Sequence, residues 1–326
     1  MESTRSRLIA ILSENTEQYI SGQEISESLN ISRNSVWKHM KALENDGYEI
    51  EGVPRKGYRI NKLPDKVSDN TIKWGLETKW LGQSIIHKQS AASTQLLIHK
   101  AAQDDAVHGT VAIADEQTMG RGRMNRKWHS VDKKGMWLSL LLRPEILPQQ
   151  APQLTLLTAT VLADVIQSHT ELKPLIKWPN DILLNNKKAA GILTEMQAEQ
   201  DRIQYIVIGI GININHTEQD IPEDIENKAT SLQIETGEEW STQRFIQYFL
   251  EDFEIAYDRY LENGFSEVKT KWESYGFKIG EKIKITSLKE EREAIFNGIA
   301  EDGALLIKSK TGEVSKLYSG EIQWFD

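Results

Sequence analysis

The sequence predicts an α+β chain in three parts, and three observations carry that reading. Three short helical patterns near the start run straight into two β-like stretches. The middle holds seven strand-like runs in adjacent groups, with three helical patterns among them. The tail is made of short alternating runs separated by glycine turns. A chain of 326 residues exceeds one typical core. The predicted parts are a winged helix-turn-helix over 1–64, a mixed-sheet domain with helices on one face over 65–272, and an SH3-like small β-barrel over 273–326.

The first part begins near Glu2, with Leu8, Ile9, Ile11 and Leu12 on an amphipathic helix. A second helix over Gln23–Leu29 places Ile25 and Leu29 on one face. Asn30-Ile31-Ser32 reads as a tight turn, with Ser32 as the N-cap of a third helix that runs to Leu43. Asn45-Asp46-Gly47 ends that helix, and Tyr48–Glu51 and Gly57–Ile60 form a hairpin before Leu63. Val36, Met40 and Leu43 face inward, whereas Arg33, Asn34, Ser35, Lys38, His39 and Lys41 face outward. Arg, Asn and Ser near a helix start suit base edges, and lysines further along suit phosphates. Arg55 and Lys56 at the hairpin tip are placed to grip flanking backbone. Residues 1–30 carry two basic and five acidic side chains, and residues 31–62 carry seven basic and four acidic. Such local polarity fits a small DNA-binding module in an acidic chain.

After a polar stretch around Pro64, the strand-like runs of the second part are Ile85–Lys88, Gly109–Asp115, Met136–Leu142, Leu175–Trp178, Asp181–Leu184, Ala190–Met196 and Tyr205–Ile212. Helical patterns lie at Thr94–Ala102, Gln150–Ser168 and Thr242–Glu262. In the tail, Lys282–Thr286, Glu293–Ala300, Ala304–Ser309 and Ser315–Leu317 alternate as short strands.

Composition removes several chemistries. With no cysteine there is no disulfide, thiolate nucleophile or Cys-based zinc site. The seven histidines are scattered without an HExxH pair, so no built-in metal site is expected. Any Mg²⁺ is expected to arrive on a nucleotide. A net charge of −9 argues against indiscriminate coating of nucleic acid. No apolar run approaches the roughly 18 residues that span a bilayer, and Met-Glu-Ser-Thr-Arg lacks a signal-peptide core. A cytoplasmic protein without membrane contact is the expectation.

Chemistry concentrates in three segments. Gly120-Arg121-Gly122-Arg123-Met124-Asn125-Arg126-Lys127-Trp128 combines four cations with glycines, a pattern suited to carboxylate and phosphate. It nearly matches GxGxxG, but Asn125 holds the third glycine position and a strand follows, which rejects a dinucleotide fold. Taken alone, the loop reads better as a solvated basic surface. Lys177-Trp178-Pro179-Asn180-Asp181, followed by Lys187-Lys188, brings a lysine, an amide and a carboxylate into one hairpin. Gly209-Ile210-Gly211-Ile212-Asn213 ends a buried strand with small residues and an amide.

With these motifs in this order, and Ser93-Thr94 and Gln117 upstream, the chain resembles the biotin–protein ligases of the bifunctional type that also repress biotin genes. The resemblance spans nearly the whole chain. It implies ATP-dependent coupling of biotin, through biotinyl-5′-AMP, to a lysine of biotin carboxyl carrier domains such as that of acetyl-CoA carboxylase. It also implies Mg²⁺ with the ATP, binding to operator DNA, and a homodimer favoured by the adenylate as corepressor. By the same resemblance Ser93, Thr94, Gln117, Arg121, Gly122, Arg123 and Lys188 meet biotin, and Arg121, Arg123, Lys177, Asn180 and Asn213 meet the nucleotide. Lys188, Arg123 and Asp181 are the catalytic candidates. Met124-Asn125 departs from the Arg-Gly familiar in relatives. Two rivals differ in what they require. A lipoate–protein ligase needs neither the Arg-Gly-Arg loop nor a fused DNA-binding module, and a repressor without catalysis needs no Lys188 beside a phosphate loop.

Overall fold

The computed structural model describes residues 4–13, 18–45, 47–62, 64, 66–286, 291–318 and 320–325. Glu2, Asp46 and Leu63, used above to bound the first part and its third helix, lie outside the described residues. The chain divides into two compact units, Met1–Glu77 with Ser241–Gln247, and Thr78–Trp240 with Tyr248–Asp326.

In the first unit, α1 (Thr4–Ser13), α2 (Gly22–Leu29) and α3 (Arg33–Asn45) precede an antiparallel ribbon of β1 (Glu49–Val53) and β2 (Gly57–Lys62). Polar side chains set the helix starts. Ser21 Oγ accepts from Glu24 N at 3.1 Å, and Ser32 Oγ accepts from Ser35 N at 3.1 Å. Asn30 takes a left-handed turn, with φ 53°, between α2 and α3. Leu8, Leu12, Ile25, Val36, Met40 and Leu43 are buried together, which is the driving term for so small a module. A short helix, α4 (Asp69–Lys73), follows. Gln243 and Gln247 donate side-chain hydrogen bonds to the carbonyls of Thr71 and Ile72 at 2.7 and 2.8 Å.

The second unit is built on a seven-stranded sheet. Its strands are β3 (Ile85–Ala91), β4 (Val111–Gln117), β5 (Gly135–Leu142), β6 (Leu175–Lys177), β7 (Asp181–Leu184), β8 (Lys187–Glu199) and β9 (Arg202–Asn213), in spatial order β3-β4-β5-β9-β8-β7-β6. Only β3 and β4 run parallel, joined by α5 (Thr94–Gln103), so the sheet is mixed. All seven strands fall on the predicted runs. The expectation of helices on one face holds for α6 (Ala151–His169) and the helices that pack on it. Thr155 of α6 bonds Thr194 on β8 at 2.8 Å. Past α7 (Leu232–Thr236), α8 (Thr242–Asn263) and α9 (Ser266–Tyr275) join α6 through Tyr260–Gln153 at 2.6 Å and Tyr275–Asp164 at 2.8 Å. The exception is α5, whose Ile98 and Ala102 pack on Leu141 and Val207. Val207 pairs with Glu195, one residue on from Thr194. Because side chains alternate along a strand, α5 therefore covers the opposite face. Near the start of this unit, the buried Glu254 carboxylate accepts from the backbone N–H groups of Lys79, Trp80 and Leu81 at 2.7, 2.8 and 2.8 Å.

The tail forms an antiparallel sheet of β10 (Lys282–Thr286), β11 (Glu291–Ile299), β12 (Leu305–Lys308), β13 (Val314–Leu317) and β14 (Glu321–Trp324), in order β13-β12-β11-β10-β14. Ile283, Ile285, Phe296, Leu305, Ile307 and Ile322 fill its buried face. It is joined to β6 by Phe277 N to Ile176 O at 2.9 Å and to α6 by Gln153 Nε2 to Glu301 O at 2.8 Å. No helix of the described residues is long and apolar enough to cross a membrane.

Candidate functional site

On the face that carries α5, the sheet opens into a cavity of about 500 Å³. Ser93, Thr94, Gln117, Arg121, Gly122, Arg123, Lys177, Asn180, Asp181, Lys188 and Asn213 all line it. The floor is glycine. Gly191 on β8 pairs with Gly211 on β9, and Gly209 pairs with Leu193. A Cβ on Gly209 would stand 2.4 Å from Gln95 Oε1, and one on Gly211 would stand 2.6 Å from Trp128 Nε1. These glycines let a side chain lie flat on the strands.

One end of the cavity is polar and uncharged. Ser93 caps α5, so the chain turns Thr94 toward the end of β4. Gln117 Oε1 accepts from Thr94 N at 2.9 Å, which fixes the amide's orientation and leaves Nε2 to donate to Ser130 Oγ at 2.9 Å. Thr94 Oγ1 lies 2.8 Å from Ser139 Oγ, which in turn donates to Gln95 Oε1 at 3.1 Å. The network is closed and its side chains are held in place.

The other end is cationic. Lys188 Nζ stands 2.7 Å from Asp181 Oδ1 and 5.2 Å from the centre of the Trp128 ring. The Asp181 contact is a close ion pair rather than an aligned hydrogen bond, since Oδ1 is buried without a hydrogen-bond donor. Lys177 lies 5.3 Å from the centre of the Trp324 ring, so the tail sheet supplies a wall. Burial pushes the Lys177 amine's pKa down. Lys188 and Arg126 add to that shift, and Asp181 opposes it. Burial likewise lowers the Arg123 guanidinium, again against the pull of Asp181. Lys177, Lys188 and Arg123 thus share one carboxylate with Arg126 close by, an arrangement that favours an incoming anion. Asn180 and Asn213 spend their Nδ2 groups on the carbonyls of Ile192 and Thr230, at 2.8 and 2.9 Å, and so brace the rim.

The Gly120–Trp128 segment folds as a small hairpin over the cavity. Gly122 N donates to Arg126 O at 2.7 Å and Trp128 N to Gly120 O at 2.9 Å. At its tip Met124 and Asn125 both adopt left-handed backbone, with φ 55° and 58°. Such backbone favours glycine, and Asn is among the few other residues that adopt it readily. Sequence reasoning missed Gln95 and Ser139, and gave Arg126 no role beyond the charge of its loop. Ser139 left a signal, being the one polar residue inside an otherwise apolar strand.

In the first unit, Arg33, Asn34, Lys38 and Lys41 are exposed along α3, while Ser35 and His39 are half-buried. Ser35 is engaged by the Ser32 cap, and Lys41 pairs with Glu44 at 2.5 Å. Arg55 and Lys56 are exposed at the ribbon turn. Trp37, which sequence reasoning passed over, is 50% exposed one turn from both Arg33 and Lys41.

Fold and site define a class: a winged helix carried on the same chain as a sheet domain whose cavity gathers cations for an anionic ligand. Comparisons with known proteins make it specific. The biotin/lipoate A/B protein ligase family model matches residues 87–213, an HTH domain matches 4–59, and the biotin protein ligase C-terminal domain matches 278–324. The bifunctional ligase/repressor BirA of Bacillus subtilis is 44% identical over 99% of both chains. That of Escherichia coli is 29% identical over 97% of this chain and 95% of its own. The solved biotin protein ligase of Aquifex aeolicus in complex with biotin and ATP is 31% identical. It covers 74% of this chain and 98% of its own, with a TM-score of 0.64. The chain belongs to the bifunctional ligase/repressor family.

Proposed function

We propose that this protein couples biotin to ATP, passes the biotinyl group from biotinyl-5′-AMP to an acceptor lysine, and represses biotin genes with that adenylate as corepressor. The observation that carries the reading is the two-ended cavity. One end offers fixed hydroxyls and an amide for a ureido ring that both donates and accepts, and the other offers crowded cations for carboxylate and phosphate. Attack of a carboxylate on an α-phosphate brings two anions together, so the protein's task is positioning and charge stabilisation. Lys188 bridges the biotin carboxylate and the α-phosphate, and Arg123 closes over them. Lys177, Asn180 and Asn213 serve the nucleotide. The carboxylates lining the cavity, Asp181 and Asp220, suit Mg²⁺ delivered on ATP phosphates better than a resident ion. Asp181, already paired to Lys188, is placed to receive the acceptor amine once an anion engages that lysine.

The acceptors are biotin carboxyl carrier domains such as that of acetyl-CoA carboxylase. Arg33, Asn34, Ser35, Lys38, His39, Lys41, Arg55 and Lys56 meet operator DNA as a homodimer favoured by the adenylate, since two-fold proteins pair with palindromic sites. The division at 1–64, 65–272 and 273–326 and a cytoplasmic setting complete the reading. Exchange of labelled pyrophosphate into ATP tests it. The expected result is exchange with biotin and none with lipoate. Exchange independent of biotin, or none at all, refutes it.

A further inference from the structure

We infer that Glu195 is a positioning residue for the ligand loop, and that the two arginines of Gly120–Arg123 divide their work. Arg121 fastens the hairpin to β8 through Glu195, and Arg123 alone turns to the anion. The inference rests on the adenylate-forming reading above and deepens it.

Arg121 Nη2 donates to both carboxylate oxygens of Glu195, at 3.0 and 3.1 Å. Glu195 follows Gly191 and Leu193 on the cavity face of β8, because side chains alternate along the strand. It stands about 13 Å along the strand from Gly191, at roughly 3.3 Å per residue. That places Arg121's partner far from the Asp181–Lys188 end, which is the end that Arg123 senses. Among the described residues Arg123 makes no ion pair, so of these two arginines it is the one left to receive a phosphate.

Glu195 also holds the opposite wall. His99 Nε2 lies 3.2 Å from Glu195 Oε2, and Gln95, one turn earlier on α5, donates to Leu193 O at 3.1 Å. Burial pushes the Glu195 carboxyl up, but its hydrogen bonds to Gln95 and His99 and the charge of Arg121 together hold it below the usual range. One carboxylate therefore ties the hairpin, the floor and the helix that begins with Ser93 and Thr94. Without it, the hairpin keeps its internal hydrogen bonds but loses its fastening across the cavity.

The test is a double-mutant cycle on the full-length protein. Two quantities are read, dissociation of preformed biotinyl-5′-AMP and the pyrophosphate-exchange rate at saturating biotin and ATP. Glu195→Ala and Arg121→Ala should each speed adenylate dissociation roughly three- to tenfold, as for a partly exposed two-bond ion pair. The double variant should be no faster than the quicker single. In Glu195→Ala the biotin KM should rise while the saturated exchange rate changes less than twofold, and Glu195→Asp, which keeps the carboxylate, should recover part of the loss. Glu195→Gln keeps the side chain's shape and serves if the alanine variant does not fold. By contrast, Arg123→Gly should multiply with Glu195→Ala. Effects of Glu195→Ala and Arg121→Ala that multiply, or a Glu195→Ala variant that retains adenylate within twofold of wild type, overturn the inference. A wild-type protein that forms no adenylate overturns the functional reading first, and this inference with it.

Discussion

Gly211→Ala isolates the role of the glycine floor. The added methyl would sit 2.6 Å from Trp128 Nε1 and 2.7 Å from Cε2, whereas ordinary contact begins near 3.4 Å. The indole must therefore give by about 0.8 Å. It has little room, since its backbone N–H closes the hairpin on Gly120 O and its ring lies edge-on to Trp137 with centroids 6.4 Å apart. Overpacking of this kind costs about 1–3 kcal/mol. If the strain is relieved by lifting the hairpin, that energy is drawn from ligand binding, a loss of roughly 5- to 150-fold in affinity. Gly191→Ala meets the same ring at 3.1 Å and otherwise the flexible end of Lys188 at 3.3 Å, so its effect should be smaller. Titration calorimetry with biotin, alongside thermal melting, separates the outcomes. Weaker binding in the order Gly211→Ala, then Gly191→Ala, is expected with a small change in melting. Biotin affinity within twofold of wild type in Gly211→Ala would mean that Trp128 does not seat the loop on this floor.

Other sites give independent checks. Lys188→Ala should cut pyrophosphate exchange at least about 100-fold, as loss of a preorganised charge does, and exchange within tenfold of wild type would remove Lys188 from the reacting atoms. Trp37→Ala should weaken operator binding about tenfold without changing its salt dependence, because an indole releases no counterions. Lys38→Ala should lower the log–log salt slope by about one, and equal slopes in the two variants would contradict that assignment. Burial lowers the His216 pKa to about 4, below its ordinary 6.5, so the unfolded chain takes up a proton there before the folded one. This contribution to stability is intact above pH 6.5 and is lost as pH falls toward 4. His216→Asn should flatten the decline of melting temperature across that window, and an unchanged slope would show that other groups set it.

Most strands of the main sheet were legible because each contains an apolar run, and β5, buried along its whole length, is the clearest. The elements that escaped notice are those with little to bury. Helix α9 encloses only Val268 and Trp272 among polar neighbours. Helices α4 and α7 are five residues each, too short for a helical period to show. The last strand, β14, has Ile322 as its one buried residue among those whose burial is described. At the site, Lys177 and Lys188 stood out through their motifs, and the structure brings them to one carboxylate. The separation of Arg121 from Arg123 was not legible, since two residues in a cation-rich loop look alike until the turn aims them apart. The face chosen by α5 was equally hidden, because an amphipathic helix shows which side it buries but not which side of a sheet receives it.

The three hydrogen bonds from Lys79, Trp80 and Leu81 to Glu254 bear on the order in which the molecule comes into being. They join positions 173–175 residues apart, so these three backbone N–H groups have no carboxylate to meet until that much more chain has left the ribosome. At about 5–20 residues per second, the wait is roughly 10–35 s. The core of α1–α3 and the ribbon lies within the first 60 residues and requires no such delay. Translation thus yields a formed helix-turn-helix, tethered to a nascent sheet, well before there is a cavity in which any effector could be made.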